Sequence, residues 1–272
     1  MIPQYIISFR EGFEVLIIAA IIYGYLKKTN RSKYKTYLSY GIVTSVIVSI
    51  AIGISVYTVY TGLKIGKLVE IGGSFLAVGV LTYVVYTMAS GSKEYIRRVR
   101  ERIEEAKSFR YGLYVIGFIV GIREGVETII FLLPFFRQDT AINNISGIIL
   151  GILSSLILAY LIYRVGIELN LKKFFTFTSI LLIFIASGIL GYGIHELIEY
   201  FEDNGVELGP IGTYVYDLKL SPGNILHEKN VIGGILSTLF GYASKMEIIR
   251  LLIQGLYLIT AICIYLRISK HV

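Results

Sequence analysis

Cysteine is nearly absent from this chain of 272 residues: Cys263 is the only one, so no internal disulfide can form, and its place in an apolar run reads as packing. Histidine is almost as scarce. His195, His227 and His271 are too few and too scattered to assemble a zinc site that activates a nucleophile. No basic region precedes the first apolar run, which begins almost at Met1, so that run reads as a helix kept in the mature protein and not as a cleaved signal peptide. Charged residues make up only 17% of the chain, against 55% hydrophobic residues and a mean hydropathy of +0.69. A soluble domain cannot bury that much apolar material, and the composition describes an integral membrane protein.

Apolar windows of about 20 residues, the length an α-helix needs to cross the hydrocarbon, fall near 4–26, 37–60, 68–90, 111–136, 141–163, 175–197 and 247–267. The expected fold is therefore an all-α membrane protein of seven transmembrane helices. Lys and Arg in the connections orient it. Five lie between Lys27 and Lys35, seven between Lys93 and Arg110, three between Arg164 and Lys173, and two more are Arg267 and Lys270. The alternate connections hold only Lys64, Lys67, Arg137, Lys219, Lys229 and Lys245. The bias places the N-terminus outside and the C-terminus in the cytoplasm. The net charge of +7 then describes anchoring loops and gives no case for nucleic acid.

Within these runs stand charges that need a reason. Arg10-Glu11-Gly12-Phe13-Glu14 recurs 113 residues later as Arg123-Glu124-Gly125-Val126-Glu127. A charged side chain near the bilayer centre costs about 2.5 to 3.5 kcal/mol on insertion scales, so six of them must face protein or water. The copies fall in the first and fourth helices, which cross in opposite directions. That predicts a 3+3 inverted repeat with the seventh helix outside it: repeat one over about 1–92, repeat two over about 108–200, an outer loop over 200–246 and a last helix over 247–267. Such repeats place the substrate near the midplane where the halves meet. The same offset lays Thr82, Tyr83 and Tyr86 on His195, Glu196 and Glu199.

Spacing gives each motif its chemistry. Glu11 and Glu14 share a helical face, and Arg10 lies one turn from Glu14. Two carboxylates from each of two helices supply up to eight oxygens, a set that suits a hard or borderline cation such as iron. Each Arg can pair with a carboxylate while no ion is bound, which lowers the cost of burying it. The glycine between the acids admits a neighbouring helix closely.

A third cluster closes the sixth helix, Gly193-Ile194-His195-Glu196-Leu197-Ile198-Glu199, with His195 and Glu199 four apart at a spacing that can share a metal. It is expected on the outer side of the main carboxylates, as a further stage of a metal pathway or as a solvated helix end. The outer loop carries Glu202, Asp203, Glu207, Asp217 and Glu228, acids that would concentrate cations at an entrance or simply be solvated. Val231 to Ala243 is apolar but too short to span, and reads as a re-entrant or interfacial segment. Glu94 to Lys107 alternates charges at helical spacing and reads as a short solvated cytoplasmic helix.

Two Arg-Glu-Gly-x-Glu motifs in the first and fourth of seven helices resemble the high-affinity iron permease family, the oxidase-dependent iron transporters. The runs at 193–199 and Leu239-Phe240-Gly241-Tyr242 are similar to that family too. The resemblance implies iron uptake across the cytoplasmic membrane, with Glu11, Glu14, Glu124 and Glu127 handling the ion and Arg10 and Arg123 conditioning them. It implies no organic cofactor, and it brings an extracytoplasmic oxidase or iron-binding protein in as a partner beside the lipid bilayer. The wider superfamily reaches lead uptake, so another divalent metal stays open as cargo. A seven-helix receptor shares the span count but needs no carboxylate repeat. An intramembrane metalloprotease needs a second His where Glu199 stands.

Overall fold

The structure is a computed structural model that describes residues 1–62, 67–105, 109–138, 140–165, 171–206, 208–221, 224–227 and 230–270. Nine α-helices cover most of them: α1 Ile2–Lys28, α2 Lys35–Gly62, α3 Lys67–Glu105, α4 Phe109–Leu132, α5 Phe135–Gln138, α6 Ala141–Val165, α7 Leu171–Asp203, α8 Val231–Phe240 and α9 Ile248–Lys270. Among the described residues, five helical stretches are long and apolar enough to cross a membrane: Ser32–Tyr60, Lys67–Thr87, Ala141–Ile162, Lys173–Asp203 and Ile248–Ser269. Helices α1 and α4, of 27 and 24 residues, have the length as well, but each carries the three charges of its motif.

Local chemistry sets several boundaries. Pro3 opens α1, where its missing N–H costs nothing. Asn30 closes the turn after it in the left-handed region, with φ 56°, while Arg31 N–H donates to Leu26 O at 2.8 Å. The fourth apolar window, drawn to 136, overruns its helix: α4 stops at Leu132 because Pro134 has no N–H to donate to the previous turn, and a tight turn leads into α5. The charged stretch expected as a separate short helix over 94–107 is instead the continuation of α3, unbroken to Glu105, with Lys107 outside the described residues. Val231–Phe240 is helical, and Gly241 ends it at φ +63°. The outer loop also departs from the all-α expectation. Tyr214–Asp217 (β1) and Lys245–Glu247 (β2) form an antiparallel pair, Tyr216 opposite Met246.

The chain divides into two compact units, each drawing on both halves of the sequence. The first comprises residues 3–63 and 91–170, hence α1, α2, α4, α5 and α6. The second comprises 64–90 and 171–272, hence the first part of α3, α7 to α9 and the strand pair.

Small residues bring the helices of the first unit together. On α4, Gly117, Gly121 and Gly125 recur every four residues, and α2 presents Leu38, Ser45 and Ser49 against them in turn. On α6, Gly147, Gly151 and Ser155 meet Tyr5, Ser8 and Gly12 of α1, and Gln4 donates to Asn144 at 2.6 Å. Paired positions ascend together in both cases, so α2 runs parallel to α4 and α1 to α6. The two interfaces are also equivalent residue by residue. Adding 106 to an α2 position and subtracting 113 from its α4 partner converts one into the other: Ser49 with Gly125 becomes Ser155 with Gly12, Ser45 with Gly121 becomes Gly151 with Ser8, and Leu38 with Gly117 becomes Asn144 with Gln4.

At Gly121 a Cβ would drive into Ser45. Gly121→Leu is therefore expected to separate α2 from α4 and to lower the melting temperature of the detergent-solubilised protein, an overpacking cost of about 1–3 kcal/mol. An unchanged melting temperature would mean that the helices do not meet along this line.

Candidate functional site

Both Arg-Glu-Gly-x-Glu motifs lie in the first unit, on α1 and α4. Glu11, Glu14 and Glu124 are buried, and each offers a carboxylate oxygen within 4.8 Å of the others; among the described residues they form the one such acidic or histidine cluster able to hold a metal. Arg10, fully buried, pairs with Glu11 and reaches Glu14 Oε1 at 2.7 Å. Arg123 holds Glu127 at 2.8 Å and stands 3.9 Å from Glu124. The glycine of each motif does what its spacing suggested, Gly12 lying against Ser155 and Gly125 against Ser49.

The electrostatics of the cluster are unbalanced. Three buried carboxylates face one buried guanidinium, so two negative charges lack a partner if all are ionised. Glu11 Oε2 and Glu124 Oε2 are buried, and among the described residues no N–H or hydroxyl donates to them. Burying such oxygens is costly unless a proton or a cation completes them. Oxygen donors of this kind take divalent or trivalent metal ions at roughly 2.0 to 2.6 Å, and the spread of the cluster leaves room for one between them.

The other sequence-selected residues sit in the second unit and are not gathered into one site. His195 Nδ1 donates to Glu247 Oε1 at 2.7 Å, and Arg250 stands 3.9 Å from the other Glu247 oxygen. Glu199 turns instead to Lys67, at 2.9 Å, which also holds Asp203 at 2.6 Å. Tyr192 donates to Glu70 at 2.8 Å, beside Glu196. Burial pushes the Glu247 carboxyl up, yet its bonds from His195 and the backbone, with Arg250 nearby, outweigh burial and hold it below the ordinary carboxylate range. Of the loop acids, Asp203 and Asp217 are engaged by Lys67 and Lys245, while Glu207 and Glu228 lie outside the described residues.

Glu70, Glu247, Arg250 and Gln254 were not singled out from sequence. Gln254 is buried, donates to Phe240 O at 2.9 Å and is braced against Gly241, fixing the end of α8 on α9. A signal existed: Glu247 and Arg250 are an acid and a base three residues apart at the mouth of the last apolar run.

A helical membrane protein whose only described metal-competent cluster is buried among its helices belongs, as a class, with ion transporters. Comparison with known proteins gives the family: residues 1–268 match the Iron permease FTR1 family, and the chain belongs to it. It is thus a multi-pass membrane transporter of the iron permease class and not an enzyme. An uncharacterized protein of Archaeoglobus fulgidus is 39% identical, covering 95% of this chain and 92% of its own. The ferrous iron permease EfeU of Yersinia pestis is 30% identical, covering 97% and 93%. EfeU of Escherichia coli O6:K15:H31 is 27% identical, covering 96% and 94%. No solved structure matches the chain.

Proposed function

We propose that this protein imports ferrous iron across the cytoplasmic membrane, passing it through Glu11, Glu14, Glu124 and Glu127. The observation that carries the reading is the buried cluster of Glu11, Glu14 and Glu124 around Arg10, short of two positive charges, which a divalent cation would supply. Ferrous iron is the cargo named for the EfeU relatives. Lead, or another divalent ion of similar preference for oxygen, is the second reading, because the cluster selects charge and donor type more strongly than element.

The scaffold of this proposal is seven spans, α1, α2, α3, α4, α6, α7 and α9, arranged as an inverted repeat of about 1–92 and 108–200 with α9 outside it. Two observations support it. The α1·α6 and α2·α4 interfaces use equivalent residues at fixed offsets. Direction supports it as well: α1 and α2 meet across a short turn, where Tyr23 and Ser39 lie 2.5 Å apart, so as spans they run oppositely, and α4 follows α2. The Lys and Arg bias puts the N-terminus outside and the C-terminus inside.

In this scheme Arg10 and Arg123 compensate the carboxylates between ions. His195, Glu196 and Glu199, at the outer end of α7, serve as a further metal stage, and no organic cofactor takes part. Metal handed over by an extracytoplasmic oxidase or binding protein would arrive at that side. The test is uptake by purified protein in liposomes, with ferrous iron kept reduced, ferric iron, and competing divalent ions in turn. Saturable ferrous uptake is expected. Transport of a monovalent ion with iron ignored would overturn the reading.

A further inference from the structure

A cavity of about 200 Å³ lies within the second unit, where α7 and α9 meet the start of α3 and the chain that follows α7. Leu190, Ile194 and Ile198, all buried, form its floor. Phe75, Phe201 and Ile253 form its rim, each 37–39% exposed. Leu208 and Gly212 close one end, and no polar side chain among the described residues lines it. Water does not suit such a space, because a buried water needs two to four polar partners. A cavity of about 150 Å³ walled by Leu, Ile and Phe stays dry and takes small apolar molecules instead. Left empty, it would leave the floor residues without dispersion partners on one side.

Depth says which apolar molecule is at hand. The helical lining comes from Lys67–Thr87, Lys173–Asp203 and Ile248–Ser269, three of the stretches apolar and long enough to lie in a membrane. At one end of two of them Lys67 pairs with Glu199 and Asp203, a charged group that belongs at the level of the lipid headgroups. Phe201 adjoins these charges in α7, and Leu190 lies three helical turns back along the same helix. At 1.5 Å per residue that separation is about 16 Å, which matches the hydrocarbon depth of a single leaflet, about half of 30 Å. The exposed rim is apolar throughout, so the mouth is matched to hydrocarbon and not to water.

We propose that this cavity seats one acyl chain of a bilayer lipid, drawn from the leaflet at the Asp203 end of α7, with the headgroup at the level of Lys67 and the chain against Ile194 and Ile198. A chain that enters passes from hydrocarbon to hydrocarbon, so it pays no desolvation cost and gains the close packing that a protein wall offers over fluid lipid. The seat also lies beside a polar contact. Ile194 precedes His195 and Ile249 follows Glu247 by two residues, so a seated chain braces α7 against α9 next to the His195–Glu247 hydrogen bond.

The experiment places the full-length protein in liposomes containing a phospholipid with a photoreactive diazirine midway along one acyl chain, and maps the labelled residues by mass spectrometry. Label is expected on Leu190, Ile194 and Ile198 in excess of that on Ile149 and Leu153, which are exposed on the apolar face of α6. Ile198→Phe fills the cavity and should cut the floor label by roughly tenfold or more while the α6 label stays native, because the chain and the larger ring cannot share the space. If Ile198→Phe does not accumulate as a folded protein, Ile253→Trp at the rim replaces it, with the same selective loss expected. Floor label no higher than that on α6, or unaltered by both substitutions, overturns the proposal. Recovery from the purified protein of a bound apolar molecule that is not a membrane lipid, and that Ile198→Phe displaces, overturns it as well.

Discussion

Glu124→Ala is expected to abolish iron uptake while the protein still inserts and folds. Glu124 is α4's share of the buried cluster, so its loss leaves the cluster's two remaining carboxylates both on α1, with Glu127 outside it. Removing a metal ligand should cost at least what outer-shell changes cost, roughly a hundredfold or more in uptake rate at low iron. Folding should not suffer in proportion, because the substitution also removes one of two uncompensated negative charges from a buried site. Uptake per molecule of membrane-inserted protein is the measurement. A variant that keeps more than about half the native rate would place the ion elsewhere.

Arg10→Ala should act in the opposite way, on stability before transport. Its guanidinium is fully buried between Glu11 and Glu14, and deleting one partner of a buried ion pair leaves uncompensated charge, typically at about 3–5 kcal/mol. Poor accumulation and early aggregation on heating are expected. Arg10→Lys should fall between, since a compact ammonium cannot reach two carboxylates as the planar fork does. The double variant Arg10→Ala with Glu14→Ala should regain much of the lost stability and none of the transport. If Arg10→Ala alone matched the native melting temperature, the carboxylates around it would have to be neutral or solvated.

Both outcomes turn on residues that stand out in the amino-acid sequence itself. A charged quintet repeated inside two apolar runs leaves few explanations, and the glycine within it predicted the close approach that Gly12 and Gly125 make. Each of the seven apolar windows holds a long helix, because hydropathy and length together are strong local signals. The misses have physical causes. Tyr214–Asp217 is four residues long, too short for alternation to register, and its pairing partner lies about thirty residues away. Pro134 ended α4 inside an apolar window that hydropathy alone could not divide.

The four-residue spacing of Gly117, Gly121 and Gly125 is plain in the sequence, but only their partners on α2 show that it is a packing line. His195 and Glu199 share a helical face, yet a distant carboxylate, Glu247, takes the first, and Lys67 takes the second. Spacing along one helix cannot report on partners supplied by other elements. The unequal burial of Arg10 and Arg123 was invisible for the same reason: identical local sequences acquire different surroundings only in a folded conformer.

Anomalous scattering at the iron edge, from the protein prepared in lipid with ferrous iron under reducing conditions, would show whether the buried carboxylates are where the ion binds. One strong peak is expected between Glu11, Glu14 and Glu124, with carboxylate oxygens at about 2.0 to 2.2 Å, and no peak there in Glu124→Ala. Iron bound only at the outer carboxylates, with the buried cluster empty at saturating metal, would contradict the carboxylate pathway.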